Sequence, residues 1–399
     1  MRLWDKGGDI DDLVLRFCVG DDHLLDAALV PYDVRASIAH AEMLGGCGYL
    51  SESDLDAIRG GLTAIGAAFE RGEWTIAPED EDCHTALENR LVERIGEPGK
   101  KVHLGRSRND QVLVALRLWL RDALSSLAGA AIEVAVALEE LGERQGEIPM
   151  PGYTHMQRAM PSTVALWAGG FATELRDDAE GLRGATRRAM INPLGSAAGY
   201  GAAPLALDRE ATTRALGFHA TQEPVTAAQL SRGKAEAEAV FQAATFAQDL
   251  GRLASDLCLF ATSEFGFVRL PEAFTTGSSI MPQKRNPDVF ELVRAKSVLP
   301  ATDLQAILSI TAKLTSGYHR DLQEIKRSLM RSFALAHEMA AVMTRAIQGL
   351  SFDAERTAGA MDDSLYAAQR AYELVIERRL TFRDAYRKVA EEMRPRDRE

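Results

Sequence analysis

The sequence predicts an all-α fold, a bundle of long helices, and three observations carry that expectation. Proline breaks helix interiors, and the intervals 98–149, 161–193, 224–271 and 300–395 contain no proline between their ends. Within the first interval, Leu113, Leu116, Leu120, Ala123, Leu127, Ala130, Val134, Ala137 and Leu141 keep a strict 3,4 spacing, the period of a buried helical stripe. Strand-like alternation of Val, Ile, Tyr and Thr between tight turns is almost absent.

Taken in order, residues 1–104 read as an N-terminal domain of shorter helices, rich in acids, with glycine joints at Gly45-Gly46-Cys47-Gly48 and Gly60-Gly61. Residues 105–350 form the central domain. Its first helix, roughly thirty residues long, takes Asn109 or Asp110 as its N-cap. A second stripe, Val240, Ala243, Ala247, Leu250, Ala254, Leu257 and Ala261, has smaller side chains that let neighbouring helices approach closely. Residues 351–399 are a short, charged C-terminal helical domain. Helices of this length need apolar partners along their whole course, which predicts a bundle completed by other subunits.

Composition narrows the function. The chain has 399 residues with 46 Lys+Arg against 58 Asp+Glu, a net charge of −12, which argues against binding a phosphate backbone. Cys18, Cys47, Cys83 and Cys258 are scattered with no C-x-x-C pair, as expected of a reducing compartment. Acids crowd the N-terminus where an export signal would be basic and apolar. The uncharged stretch 189–207 is broken by Pro193, Pro204 and three glycines, so it reads as a loop rather than a membrane span. A cytoplasmic protein without nucleic-acid or membrane partners is the expectation.

Three breaks between the long helices are chemically dense. His103-Leu104-Gly105-Arg106-Ser107-Arg108-Asn109-Asp110-Gln111 puts two arginines and free backbone N–H groups at a helix start, a cradle for a carboxylate. Gly152-Tyr153-Thr154-His155-Met156-Gln157-Arg158 places His155 on a turn between two helices. The run from Thr275 to Asp288 has no charge until Lys284 and Arg285 arrive together, and Gly277, Pro282 and Pro287 make it an irregular loop. Ser278 on that loop is a candidate activated hydroxyl, with the cations and backbone amides stabilising its alkoxide or a substrate carboxylate. No P-loop, dinucleotide fingerprint, G-x-S-x-G elbow or H-E-x-x-H pair accompanies them.

Gly277-Ser278-Ser279-Ile280-Met281-Pro282-Gln283-Lys284-Arg285-Asn286-Pro287 resembles the signature loop of the fumarase/aspartase superfamily. Within it, Gly105-Arg106-Ser107-Arg108-Asn109-Asp110-Gln111-Val112, Gly152 to Ala159, Glu81-Asp82-Cys83-His84-Thr85, Pro193-Leu194-Gly195-Ser196 and Asp321-Leu322-Gln323-Glu324 resemble the argininosuccinate lyases. The resemblance implies an all-α homotetramer whose active sites each draw loops from three subunits. It implies reversible cleavage of argininosuccinate to fumarate and arginine, the last step of arginine biosynthesis, with no metal or organic cofactor.

The resemblance also implies roles. Ser278 and His155 match the two proton-handling residues, and it leaves open which is base and which is acid; a loop closing over substrate and expelling water favours Ser278 as base. Lys284 and Asn286 match groups that hold carboxylates and the charge developing there. Arg108, Asn109, Thr154, Tyr318, Gln323 and Lys326 match substrate contacts, with Lys326 facing a substrate carboxylate; Asp82, His84 and Glu291 match supporting positions. The segments Phe17-Cys18-Val19-Gly20-Asp21-Asp22-His23 and Leu230-Ser231-Arg232-Gly233-Lys234 depart from the family pattern. They motivate an alternative, a sibling lyase acting on another N-succinyl compound such as adenylosuccinate. An inactive structural protein on the same scaffold is the reading from a different class.

Overall fold

A computed structural model describes residues 11–277 and 279–393. Helices dominate it, as the proline spacing predicts. The strands among the described residues form three small two-stranded sheets. The chain divides into two compact units, Met1–Ala128 with Glu180–Thr245 and Leu299–Ala336, and Gly129–Ala179 with Phe246–Val298 and His337–Glu399.

In the first unit, helix Val30–Gly46 packs on Glu52–Glu70 and on Cys83–Ile95. Gly60 and Gly61 are not a joint but lie inside Glu52–Glu70. A Cβ on Gly61 would sit 2.7 Å from Leu91 Cδ1, so the missing side chain is what lets the two helices meet. Gly45 and Gly46 do close their helix, as expected. A core cluster joins Ala36, Ala39, Val114, Leu118, Met190, Leu194, Leu216 and Phe218.

The helix predicted over 113–141 runs from Arg108 to Gln145. Its cap is Ser107 rather than Asn109 or Asp110: Ser107 Oγ accepts from the Asn109 N–H, and the Ser107 N–H donates to Asp110 Oδ1 at 2.9 Å. The helix starts earlier than expected because Ser107-x-x-Asp110 is a reciprocal cap, with Asp110 as its inner half. Leu113, Leu116, Leu120, Leu127, Val134, Ala137 and Leu141 are buried. Ala123 and Ala130 are only half-buried, and Leu124, Ala131 and Leu138 are fully buried beside them. That second row widens the buried face beyond a coiled-coil seam. The stripe from Val240 to Leu257 is buried throughout helix Lys234–Phe260.

In the second unit, an aromatic cluster of Trp167, Phe260, Phe267 and Phe352, with ring centroids 5.5–5.8 Å apart at the closest pairs, forms part of the core. The C-terminal helices Ala367–Arg378 and Phe382–Glu392 close on Ala371, Ala385 and Val389. No helix among the described residues is long and apolar enough to cross a membrane.

The turn expected between two helices at His155 is instead the tip of a β-hairpin, Pro149–Thr154 against Gln157–Thr163. Its two central residues, His155 and Met156, have φ of 51° and 62°. Both signs are those of a type I′ turn, normally given to Asn and Gly. Holding two L-residues there costs on the order of 1–2 kcal/mol each, so the hairpin enforces a tip that the tip sequence does not favour.

Candidate active site

In the first unit the site is organised by charge. Glu81, in a left-handed conformation (φ 68°), and Asp82, the N-cap of helix Cys83–Ile95, point two carboxylates at one guanidinium. Arg108 Nη1 lies 3.1 Å from Glu81 Oε2 and Nε lies 3.0 Å from Asp82 Oδ2, while Nη2 donates to Thr85 Oγ1 at 3.3 Å. Asp82 also accepts from the Thr85 N–H at 2.8 Å. Burial works against its charge, but His84, Arg108 and the Thr85 N–H outweigh it and lower its pKa.

His84 is fully buried and hydrogen-bonded through Nδ1 to Asp33 Oδ2 at 2.8 Å. Burial disfavours the imidazolium, yet Asp33, Asp82 and Asp26 together raise its pKa to about 9. His84 is thus a buried cation at neutral pH. Lys326, also buried, sits 2.6 Å from Asp26 Oδ1 and 2.9 Å from Asp22 Oδ2. Its burial penalty is overcome by these two acids, which raise its pKa. Asp22 is raised to about 6, mainly by burial.

Asp82, His84, Arg108, Tyr318, Gln323 and Lys326 line one narrow cleft, so the structure brings together six residues that are separated by up to 244 positions. Asn109 adjoins them in sequence, and its carbonyl accepts from Gln229 Nε2. Two of the six are already engaged by the divergent N-terminal segment. Gln323 Nε2 donates to the Cys18 carbonyl at 3.0 Å, and Lys326 is paired with Asp22 and Asp26. Sequence reasoning missed Asp22, Asp26, Asp33 and Glu81, whose partners are remote in the chain; the acids around position 22 and the segment Glu81–Thr85 are the local signals that could have found Asp22 and Glu81.

Asp26, Cys83 and His84 also bring potential metal-ligand atoms within 4.8 Å of one another. That set does not suit a metal. Lys326 and Asp33 occupy the Asp26 and His84 atoms, and burial raises the Cys83 thiol well above its usual pKa, whereas a metal needs a thiolate.

In the second unit, the signature loop is closed at its neck by paired backbone hydrogen bonds, Thr276 N–H to the Asn286 carbonyl at 3.2 Å and the reverse at 2.9 Å. Thr276 Oγ1 also donates to Asp288. Ser278 lies outside the described residues. Lys284, Asn286 and Glu291 line a groove of about 920 Å³ together with Met156 of the hairpin tip. Lys284 is exposed and makes no ion pair among the described residues. Thr154 and His155 are exposed at the tip. The hairpin is tethered by Arg158, which donates to the Ala360 carbonyl and pairs with Asp362, both at 2.8 Å.

Chemically, the second unit offers an unpaired ammonium, an amide and an imidazole on exposed supports, suited to stabilising a carboxylate-borne charge and moving a proton. The first unit offers a rigid wall of paired charges, suited to a zwitterionic group.

Comparison with known proteins agrees. A family described as Lyase matches residues 16–299. The argininosuccinate lyase of Sorangium cellulosum (strain So ce56) is 50% identical over 395 residues, covering 98% of this chain and 91% of that protein. The argininosuccinate lyase of Thermotoga neapolitana is 41% identical over 390 residues, covering 98% of each. Among solved structures, an EDDS lyase in complex with formate superposes with a TM-score of 0.79 at 26% identity, covering 96% of this chain and 76% of that one. An all-α bundle, a loop of this sequence and near-complete coverage at these identities have one meaning: the chain belongs to the argininosuccinate lyase family of the fumarase/aspartase superfamily.

Proposed function

We propose that this protein cleaves argininosuccinate reversibly to fumarate and L-arginine. The observation that carries the reading is the groove in which Lys284 and Asn286, at the neck of the signature loop, share a wall with the tip of the His155 hairpin. Met156, beside His155 in the sequence, is the hairpin's contribution to that groove.

The hydrogen to be removed lies on the succinyl carbon beside the distal carboxylate and is weakly acidic. Ser278, deprotonated in a loop closed over substrate, takes it. The electron pair moves into that carboxylate as an aci-carboxylate, whose second charge Lys284 and Asn286 hold. The pair then returns to form the double bond as the C–N bond breaks, and the departing guanidino nitrogen receives a proton from His155. Arg108, Asn109, Thr154, Tyr318 and Gln323 bind substrate. Lys326, Asp82 and His84 hold the cleft in shape, and Glu291 supports the groove.

His155 and Lys284 are exposed in a single chain, whereas elimination benefits from a water-poor site. A homotetramer, with each site built from three subunits, covers them. The location is cytoplasmic. The test is chromatography after adding argininosuccinate. Equal amounts of arginine and fumarate support the reading, and neither product, or fumarate only from adenylosuccinate, overturns it.

A further inference from the structure

Asp110, a fully buried acid in the first turn of helix Arg108–Gln145, takes no part in the mechanism above. Its carboxylate accepts three backbone N–H groups. Oδ1 takes the Ser107 N–H at 2.9 Å, and Oδ2 takes those of Gly195 and Ala197 at 2.9 and 2.8 Å. Burial raises its pKa to about 6 against the pull of these N–H groups and of Arg106, so at neutral pH it is ionised and both oxygens accept. A helix cap needs only the Ser107 bond. The other two reach 85 and 87 positions along the chain.

The segment that Asp110 grips is anchored elsewhere too. Asn192 Oδ1 accepts from the Leu194 N–H at 3.0 Å, and Arg209 Nε donates to the Leu194 carbonyl at 2.9 Å. Gly195, Ala197, Gly199 and Gly201 have φ between 51° and 107°, so these anchors set the path, not a regular helix or strand. The segment then touches two supports of the cleft. A Cβ on Gly199 would lie 3.0 Å from Gln229 Cγ, and Gln229 Nε2 donates to the Asn109 carbonyl at 3.4 Å. A Cβ on Gly317 would lie 3.5 Å from the Tyr200 hydroxyl, and the next residue, Tyr318, lines the cleft. Asn109 lies between Ser107 and Asp110, the two halves of the cap.

We infer that Asp110 is a positioning residue: it fastens the 193–201 segment to the start of helix Arg108–Gln145 and so holds Asn109 and Tyr318 where they meet substrate. This rests on the reading above. The ionised carboxylate is essential to the role, because only it offers acceptors in both directions. In Asp110→Asn the shape is kept, but the amide nitrogen must face either the Ser107 N–H or those of Gly195 and Ala197. Whichever way the amide turns, a donor meets a donor and at least one N–H loses its acceptor.

The experiment is steady-state kinetics of argininosuccinate cleavage by the intact protein, with amide hydrogen exchange followed over residues 193–201. In Asp110→Asn, KM is expected to rise about tenfold, as for one lost hydrogen bond to a charged group, with kcat within about threefold of wild type. Exchange of the segment quickens. Damage to the fold alone gives the opposite split, since fewer active molecules lower the apparent kcat and leave KM where it was. An unchanged KM, or unchanged exchange, in the folded variant overturns the inference and leaves the lyase reading intact. If Asp110→Asn does not fold, Gln229→Met decides by the same kinetics. It removes the donor to Asn109 while filling the space, and KM should rise about threefold; an unchanged KM overturns the inference. A wild type that releases no fumarate from argininosuccinate overturns both.

Discussion

His84 Nδ1 and Asp33 Oδ2 are 2.8 Å apart with both side chains almost fully buried. This ion pair makes the fold pH-sensitive. The His84 pKa rises from 6.5 to about 9 on folding, so the pair's stabilisation is fully present below pH ~6.5 and is lost as pH rises through about 9. The size is on the order of 3 kcal/mol. Urea unfolding should show stability falling across that window. His84→Gln should be less stable at pH 6 and should lack the slope; an unchanged slope would assign the titration to another group.

Lys326 is the second buried cation of this wall. Lys326→Met strands Asp26 and Asp22, and about 3–5 kcal/mol of stability should be lost. Adding Asp26→Asn should restore part of it. Denaturation midpoints for the single and double variants give the answer, and a fully stable single variant would mean that the pair does not form.

These two pairs show why the wall was hard to read in the sequence. The heptad stripe from Leu113 to Leu141 is legible because its period is local, and the signature loop because its residues are contiguous. Lys326 and Asp26 are 300 positions apart, and nothing in either neighbourhood announces the other. The hairpin was hidden differently. Pro149, Pro151 and Pro161 interrupt its alternation, and its turn carries His155 and Met156 where a type I′ turn normally shows Asn and Gly.

His155 is exposed at the hairpin tip and contributes little packing. His155→Asn should lower kcat by roughly 10²–10⁴ while leaving the melting temperature within about a degree or two, as for a surface change. An active variant would remove His155 from the proton path.

Phe241 is a large apolar residue, 50% exposed on helix Lys234–Phe260, and Leu166 is 70% exposed on Val164–Ala189. Exposed apolar side chains on long helices fit burial by other subunits. If the proposed homotetramer forms through these faces, Phe241→Glu should shift light scattering to smaller species and lose turnover with it. A monomer that remains fully active would rule out shared active sites.

In the proposed mechanism the signature loop carries out elimination on argininosuccinate. Its most direct test is the ultraviolet absorbance of fumarate, followed after adding argininosuccinate to wild type and to Ser278→Ala. A steady rise is expected for wild type, none for the variant at equal assembly state, and none for either with adenylosuccinate. Equal rates in wild type and Ser278→Ala, or a rise only with adenylosuccinate, would contradict it.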